Sequence, residues 1–195
     1  PLQSIIGFGD LLKNRHSESL DEHGRGYLKR IHDAAHRMSR LIDDLLKFSK
    51  VVKRSELFSL VDLGKMAADI IEDSEYQVRK HDAVIVCGKL PTIYGDETQM
   101  RQLFQNLISN ALKFHIPGQP VRISLQSVDL GNGRVQISVK DNGIGIEEKY
   151  LSQIFRPFER LHNQAEFEGS GIGLAICQKI VAHHEGELYA TSQVG

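Results

Sequence analysis

No stretch of this 195-residue sequence holds 18 consecutive apolar residues, about the least a helix needs to cross a bilayer. The opening PLQSIIGFGD lacks the basic start and cleavage pattern of a secretory signal. Cysteine is scarce. Cys87 and Cys177 stand alone, each in an apolar run (AVIVC, GLAIC), so two buried thiols in a reducing cytoplasm are expected rather than a disulfide. An excess of charge is lacking too: 24 basic against 25 acidic residues leave a formal net charge of −1. That removes any electrostatic reason to expect nucleic acid or an anionic membrane as partner. With 41% hydrophobic and 25% charged residues, the chain is neither low-complexity nor disordered in composition. An initiator Met is missing, and YATSQVG stops within what reads as a strand. Both ends are expected to be cut from a longer chain.

What is present divides near residue 55. Residues 1–54 read as helical with one break. Leu2, Ile5, Ile6, Phe8, Leu11 and Leu12 recur at helical spacing, and NRHSES interrupts. Ser19 followed by Glu22 reads as a capping box. Tyr27, Ile31, Ala34, Met38, Leu41, Leu45 and Phe48 then alternate at spacings of four and three, an a/d heptad that marks helix-on-helix packing. A lone hairpin cannot cover such a seam. A second copy, giving a four-helix bundle dimer, is the simplest solution; packing on the rest of its own chain is the alternative. His32 and His36, four apart, fall off the seam and are expected on a solvated face.

Residues 55–195 alternate strands and helices. Strands are expected at Glu56–Leu60, Ala83–Cys87 (buried), Thr92–Tyr94, Val121–Val128, Val135–Lys140 and from Leu188. Helices are expected after the caps Asp62 and Asp96, over Glu147–Ile154, and over Leu174–Ala182, ended by Gly186. Leu130-Gly-Asn-Gly133 is a hairpin turn. The class is α+β, a mixed, mostly antiparallel sheet with helices on one face.

Three stretches carry chemistry. In the helix DETQMRQLFQNLISNALKF, Met100, Leu103, Phe104, Leu107 and Ala111 form a core face. Asn106, Asn110 and Lys113 share another. Asparagine oxygen suits Mg²⁺ and lysine suits a phosphate, though solvated polar stripes are common. Asp141 precedes Gly143 and Gly145. A carboxylate at a strand end beside glycines can accept a hydrogen bond from an exocyclic amine such as adenine's, although Asp-Asn-Gly is also ordinary turn chemistry. Third, Glu168-Gly169-Ser-Gly171-Ile-Gly173-Leu174 runs straight into a helix, where bare N–H groups and the helix dipole favour phosphate. It matches neither the Walker A nor the Rossmann pattern.

Taken in order, these motifs resemble the catalytic and ATP-binding domain of sensor histidine kinases, which shares its ATP fold with DNA gyrase and the mismatch-repair ATPases. NLISNALKF resembles the N box, DNGIG the first G box, FRPFER the F box and GSGIGLAI the second G box. The front half resembles the dimerisation and histidine-phosphotransfer helices, so the resemblance covers nearly the whole chain. LPTIYGDETQMRQLFQNLISNALKF and IFRPFERLHNQAEFEGSGIGLAI are most similar to the phytochrome-type or PAS-linked branch.

The resemblance implies an α/β sandwich of the histidine kinase/gyrase ATPase type after a helical hairpin, with residues 1–54 dimerising and 55–195 binding ATP. It implies that Asn110 coordinates Mg²⁺, with Asn106 one turn back lining the same site. Lys113 would touch a phosphate, and Phe114 would lie beside the nucleotide. Asp141 would read the adenine amine, with Gly143 and Gly145 giving clearance. Gly169, Gly171, Gly173 and Leu174 would hinge a lid over residues 156–168 and bind phosphate, and Arg160 would approach the γ-phosphate. The implied activity is ATP-dependent autophosphorylation on histidine and transfer to an aspartate of a response regulator, as a homodimer in the cytoplasm, with any membrane anchor upstream. The acceptor His belongs five residues before Pro1 in this pattern, so none of the nine histidines present fills that place. This leaves an alternative: an ATP-binding or ATP-sensing module without kinase activity of its own.

Overall fold

The computed structural model describes residues 1–50, 58–161 and 169–194. The start of the expected strand at Glu56, the boundary at 54/55, Glu168 and lid residues 162–168 lie outside the described residues. The chain forms two compact units, Pro1–Ser49 and Lys50–Gly195.

In the first unit, α1 (Leu2–Arg15) and α2 (Glu22–Lys50) flank a short 3₁₀ turn at Ser17–Ser19. The capping box is not where the sequence placed it. Ser19 Oγ donates back to the His16 carbonyl at 2.8 Å, and Asp21 Oδ1 accepts from the Gly24 N–H at 2.7 Å, so Asp21 caps α2. The hairpin closes around small residues: Ala35 and Gly9 are buried, and a Cβ on Gly9 would stand 3.3 Å from His32 Cδ2. The heptad face stays open. Tyr27 is 62% exposed, Met38 52% and Leu45 47%, with Phe8 of α1 at 68%. The expectation of a solvated His32 is corrected. Its ring bridges the helices, 2.8 Å from Asp10 Oδ1, because a one-helix wheel does not know what α1 brings opposite.

In the second unit, β1 (Ser59–Asp62) pairs antiparallel with β3 (Thr92–Gly95), and β2 (Val84–Cys87) runs parallel to β4 (Arg122–Gly131). The hairpin partner of β4 is β5 (Arg134–Asp141), in register from Ile123 opposite Asp141. Its turn places Gly131, Asn132 and Gly133 at positive φ, the backbone that Gly and Asn tolerate. Ile123 and Leu125 alternate inward with a strand's period of two. They meet α3 (Leu63–Asp73), α5 (Glu97–Lys113) and α6 (Gly173–His183) in a core with Ile70, Phe104, Ile108 and Ile180. Asp62 Oδ1 caps α3 through the Lys65 N–H at 3.0 Å. Ser74 then splits off α4 (Glu75–Lys80) by bonding its hydroxyl to the Ile70 carbonyl at 2.8 Å.

Several local expectations are corrected. Glu147–Ile154 is a 3₁₀ turn (Glu148–Tyr150) followed by further turns, such as the Arg156 N–H to the Gln153 carbonyl at 2.9 Å. Pro157, without an N–H, ends any continuation of these turns into a longer helix. Leu188–Thr191 forms no strand. The segment is held by side chains, with Gln136 Nε2 donating to Tyr189 Oη at 2.7 Å and the Ile146 N–H to Ser192 Oγ at 2.8 Å. At the end of α6 the left-handed residue is Glu185 (φ 56°), one before Gly186, whose N–H returns to the Val181 carbonyl at 2.9 Å.

Cys87 is exposed and not buried: it ends the edge strand β2 at the rim of an open pocket it lines with Ala68, Ile71 and Val78, and partial burial pushes its thiol pKa up. Cys177 is buried, and burial pushes its thiol up to about 12, opposed by the Asn106 side chain. Thiolate is the reactive form. A maleimide at pH 8 is therefore expected to label Cys87 in the folded chain and Cys177 only after unfolding. Mass spectrometry of the peptides checks this; equal labelling of both in the folded chain contradicts the packing of α6.

Candidate functional site

The helix α5 organises the site, and its start is fixed at the far end of α6. Asp96 is buried, and its Oδ1 accepts from the Gln99 N–H at 3.0 Å. Its own N–H donates to His184 Nε2 at 3.0 Å, while His184 Nδ1 donates to the Ile180 carbonyl at 2.8 Å. These two bonds set one tautomer, with Nδ1 protonated and Nε2 bare. The Gln99 side chain meets His183 Nδ1 at 3.0 Å. Further along, Asn106 Oδ1 stands 3.3 Å from where a Cβ on Gly173 would lie. Position 99 against 183 and 106 against 173 make α5 and α6 antiparallel, so the start of α6 lies beside the second half of α5.

That second half carries the polar stripe. Asn106, Asn110 and Lys113 are all half-buried. Asn106 Nδ2 is buried and, among the described residues, has no partner in hydrogen-bond geometry, although the side chain acts on the Cys177 thiol. Such a group costs about 1–3 kcal/mol unless something pairs with it. Lys113 Nζ sits 4.3 Å above the Phe114 ring centroid. It also reaches the glycine loop, 2.8 Å from where a Cβ on Gly169 would be.

The loop is built for close approach. Gly169 (φ 152°) and Gly171 (φ 74°) take backbone that L side chains avoid. Arg160 Nη1 donates to the Gly169 carbonyl at 2.7 Å, and the Phe158 N–H to the Gly171 carbonyl at 3.0 Å. This ties the FRPFER segment to GSGIG. The chain then enters α6 at Gly173-Leu174, and among the described residues its N-cap residue Ile172 brings no side-chain cap. Its first N–H groups thus keep the positive end of the dipole on offer to an anion.

Asp141 ends β5, exposed, with Oδ1 accepting from the Gly143 N–H at 2.8 Å. A Cβ on Gly143 would collide with the Phe114 carbonyl oxygen, and one on Gly145 with the Gln193 carbonyl oxygen. The Ile144 N–H donates to that same Phe114 carbonyl at 3.0 Å. DNGIG is thereby clamped to the C-terminal end of α5.

Both glycine motifs therefore converge on the helix that carries the third: Gly143 at Phe114, and Gly169 at Lys113 with Gly173 at Asn106. Sequence reasoning missed the residues that hold them. Asn142 Oδ1 accepts from the Arg122 N–H at 2.7 Å, and its Nδ2 donates to the Pro120 carbonyl at 3.0 Å, locking the loop after Asp141. Ser192, His183 and His184 do similar work from more than 40 positions away, and no local signal marks them. His115 packs on the His81 ring at 4.4 Å between centroids. Burial first, then His115 and Lys80, push the His81 pKa down.

Residues 95–195 match the family of histidine kinase-, DNA gyrase B- and HSP90-like ATPases, and residues 1–53 match the His Kinase A (phospho-acceptor) domain. The chain belongs to the sensor histidine kinases. This histidine kinase chain is 35% identical to cyanobacterial phytochrome A of a Nostoc species, covering 100% of this chain and 25% of that protein. It is 33% identical to the phytochrome-like protein Cph1 of a Synechocystis species, covering 100% and 26%. The chain thus spans about a quarter of the length of these relatives. Among solved structures, full-length ShkA in complex with AMPPNP is similar with a TM-score of 0.69 and 25% identity, covering 98% of this chain and 41% of that one. No described helix of the kinase chain is long and apolar enough to cross a membrane.

Proposed function

We propose that this chain is the catalytic core of a sensor kinase that binds ATP with Mg²⁺, phosphorylates a histidine and supplies the phosphoryl group to an aspartate of a response regulator. The convergence of the two glycine motifs on the Asn106–Phe114 end of α5 is the observation that carries the reading. ATP enters as substrate. Asp141, with one carboxylate oxygen held by Gly143, turns the other to the adenine amine. Gly143 and Gly145 let the loop after Asp141 close on the Phe114 and Gln193 carbonyls, and the Phe114 side chain borders the base. Lys113 and the open start of α6 at Gly173-Leu174 receive phosphate oxygens. Arg160, held on the Gly169 carbonyl, lies on the lid side of the γ-phosphate, where charge grows during transfer.

The residues present also fit Mg²⁺. Asn110 offers a neutral hard oxygen, half-buried on the same stripe as Asn106 and beside the phosphate-binding loop. When bound, the ion would neutralise charge on the β- and γ-phosphates; Asn110 would hold it. The open heptad face of the first unit supports a homodimer through residues 1–54 as the acting form.

Removing the Asn110 oxygen tests this reading. Asn110→Ala is expected to erase the Mg²⁺-dependent part of ATP affinity, about tenfold or more, leaving Mg²⁺-free binding nearly unchanged. Titration of a fluorescent ATP analogue with and without Mg²⁺ measures both. An unaltered Mg²⁺ effect in the variant would falsify the assignment of Asn110.

A further inference from the structure

The sheet of the second unit ends in a strand whose outer side is open. β2 pairs with β4, and among the described residues no strand lies along its other side. The Val84 N–H donates to the Val121 carbonyl at 2.7 Å and the Gly88 N–H to the Leu125 carbonyl at 2.9 Å. Main-chain groups alternate sides along a strand, so Ile85 and Cys87 turn their N–H and C=O groups away from β4. The strand is short, but VIVC holds no charge and no proline to guard the edge. Val84 and Val86, on the face turned from the helices, are 52% and 61% exposed.

Beside this edge is an open apolar groove of about 410 Å³. Ala68 and Ile71 of α3, Val78 of α4 and Cys87 of β2 line it, together with Glu72 and Glu75. Both carboxylates are exposed. Each feature specifies part of an occupant. The outward main-chain groups of Ile85 and Cys87 call for an extended backbone, which pairs as an added strand. The groove calls for an apolar side chain on the helix side of that strand. The carboxylates call for a basic residue next to it. Glu75 already holds Arg79 at 2.5 Å, so Glu72 is the one that meets it. A second copy of β2 does not answer this description, because VIVC brings no basic residue.

We propose that the open edge of β2 and the groove beside it bind an extended peptide segment of a partner protein. An apolar residue of that segment sits against Ile71, Val78 and Cys87, and a basic residue two places along faces Glu72. The step of two follows from the strand period, which returns side chains to one face about every 7 Å. Main-chain pairing supplies affinity, while the groove and Glu72 select among sequences. None of these residues belongs to the nucleotide site, so peptide and ATP occupy different parts of the domain.

The probe is a fluorescein-labelled heptapeptide with Leu at its centre, Val on either side, Lys beyond each Val and Thr at both ends. It is titrated into the 195-residue chain by fluorescence anisotropy. Saturable binding of one peptide per chain is expected, severalfold weaker when both Lys are replaced by Glu. Cys87→Pro removes an outward N–H that the sheet does not use. It is expected to lower peptide affinity about tenfold or more, since a peptide carbonyl is left unpaired, with ATP binding unchanged. Ala68→Gln, at an exposed position of α3, fills the groove and is expected to act alike. Glu72→Lys is expected to reverse the preference between the Lys and Glu peptides. No saturable binding of the Lys peptide, equal affinity for the two peptides, or wild-type affinity in both Cys87→Pro and Ala68→Gln overturns the proposal. So does self-association of the chain, seen by sedimentation, that Ala68→Gln abolishes, since the groove would then belong to a second copy.

Discussion

Asp141→Asn is expected to weaken ATP binding by about 100-fold or more while the domain stays folded. The side chain is exposed at the end of β5, and one oxygen is already used by the Gly143 N–H at 2.8 Å. An asparagine can keep that bond with its own oxygen. Its NH₂ then faces the adenine amine, donor against donor. A hydrogen bond to a charged acceptor contributes about 1.5–3 kcal/mol, and the mispairing adds the cost of an unsatisfied group. Every 1.4 kcal/mol or so is tenfold in affinity. Nucleotide titration beside thermal unfolding separates the two effects: lost affinity with an unchanged melting temperature is expected, and retained affinity sinks the role of Asp141.

Gly143→Ala is expected to do more damage, to fold and site together. The new methyl would occupy the space of the Phe114 carbonyl oxygen and stand 2.8 Å from Asp141 Oδ1. Neither neighbour yields easily. The carbonyl ends α5 and already accepts the Ile144 N–H, and the carboxylate is bound to Gly143's own N–H. Overpacking of this kind costs about 1–3 kcal/mol. It also moves Asp141 away from the α5 stripe, so ATP affinity falls with stability. Gly118→Ala is the control for adding a methyl at a glycine: its φ is +80° but nothing lies within 4 Å of the added carbon. It carries only the backbone strain of the left-handed region, about 1–2 kcal/mol. Denaturant unfolding and nucleotide titration of both variants check the contrast; a Gly143→Ala chain that binds ATP normally contradicts the clamp between DNGIG and α5.

Which parts were legible in the sequence follows from how far the determining contacts reach. The α5 cap at Asp96, the cap at Asp62 and the Leu130–Gly133 turn depend on neighbours two or three positions away, and the structure has all three. The glycine motifs and the Asn/Lys stripe were legible for the same reason. Their meeting was not: Gly143 at Phe114 and Gly173 at Asn106 are contacts made by the fold. The failures have a common cause. The cap fell on Asp21 and not on Ser19 because Ser19 had a nearer acceptor in the His16 carbonyl. Cys87 sits in an apolar run, yet it ends an edge strand, at the rim of an open pocket. The end of the chain reads as a strand by composition, but its described backbone forms no ladder and it is tied down through Tyr189 and Ser192. His32 looked like surface until Asp10 was placed beside it.

In the proposed function the α5 site presents the γ-phosphate of ATP to a histidine. The direct measurement is transfer of label from γ-labelled ATP onto a chain extended upstream of Pro1, mixed with the 195-residue chain under conditions where they dimerise. Acid-labile, base-stable label is expected on the extended chain, lost when both partners carry Asp141→Asn, with no such label on the 195-residue chain alone. Acid-stable label, label that survives Asp141→Asn in both partners, or label on the 195-residue chain by itself contradicts it.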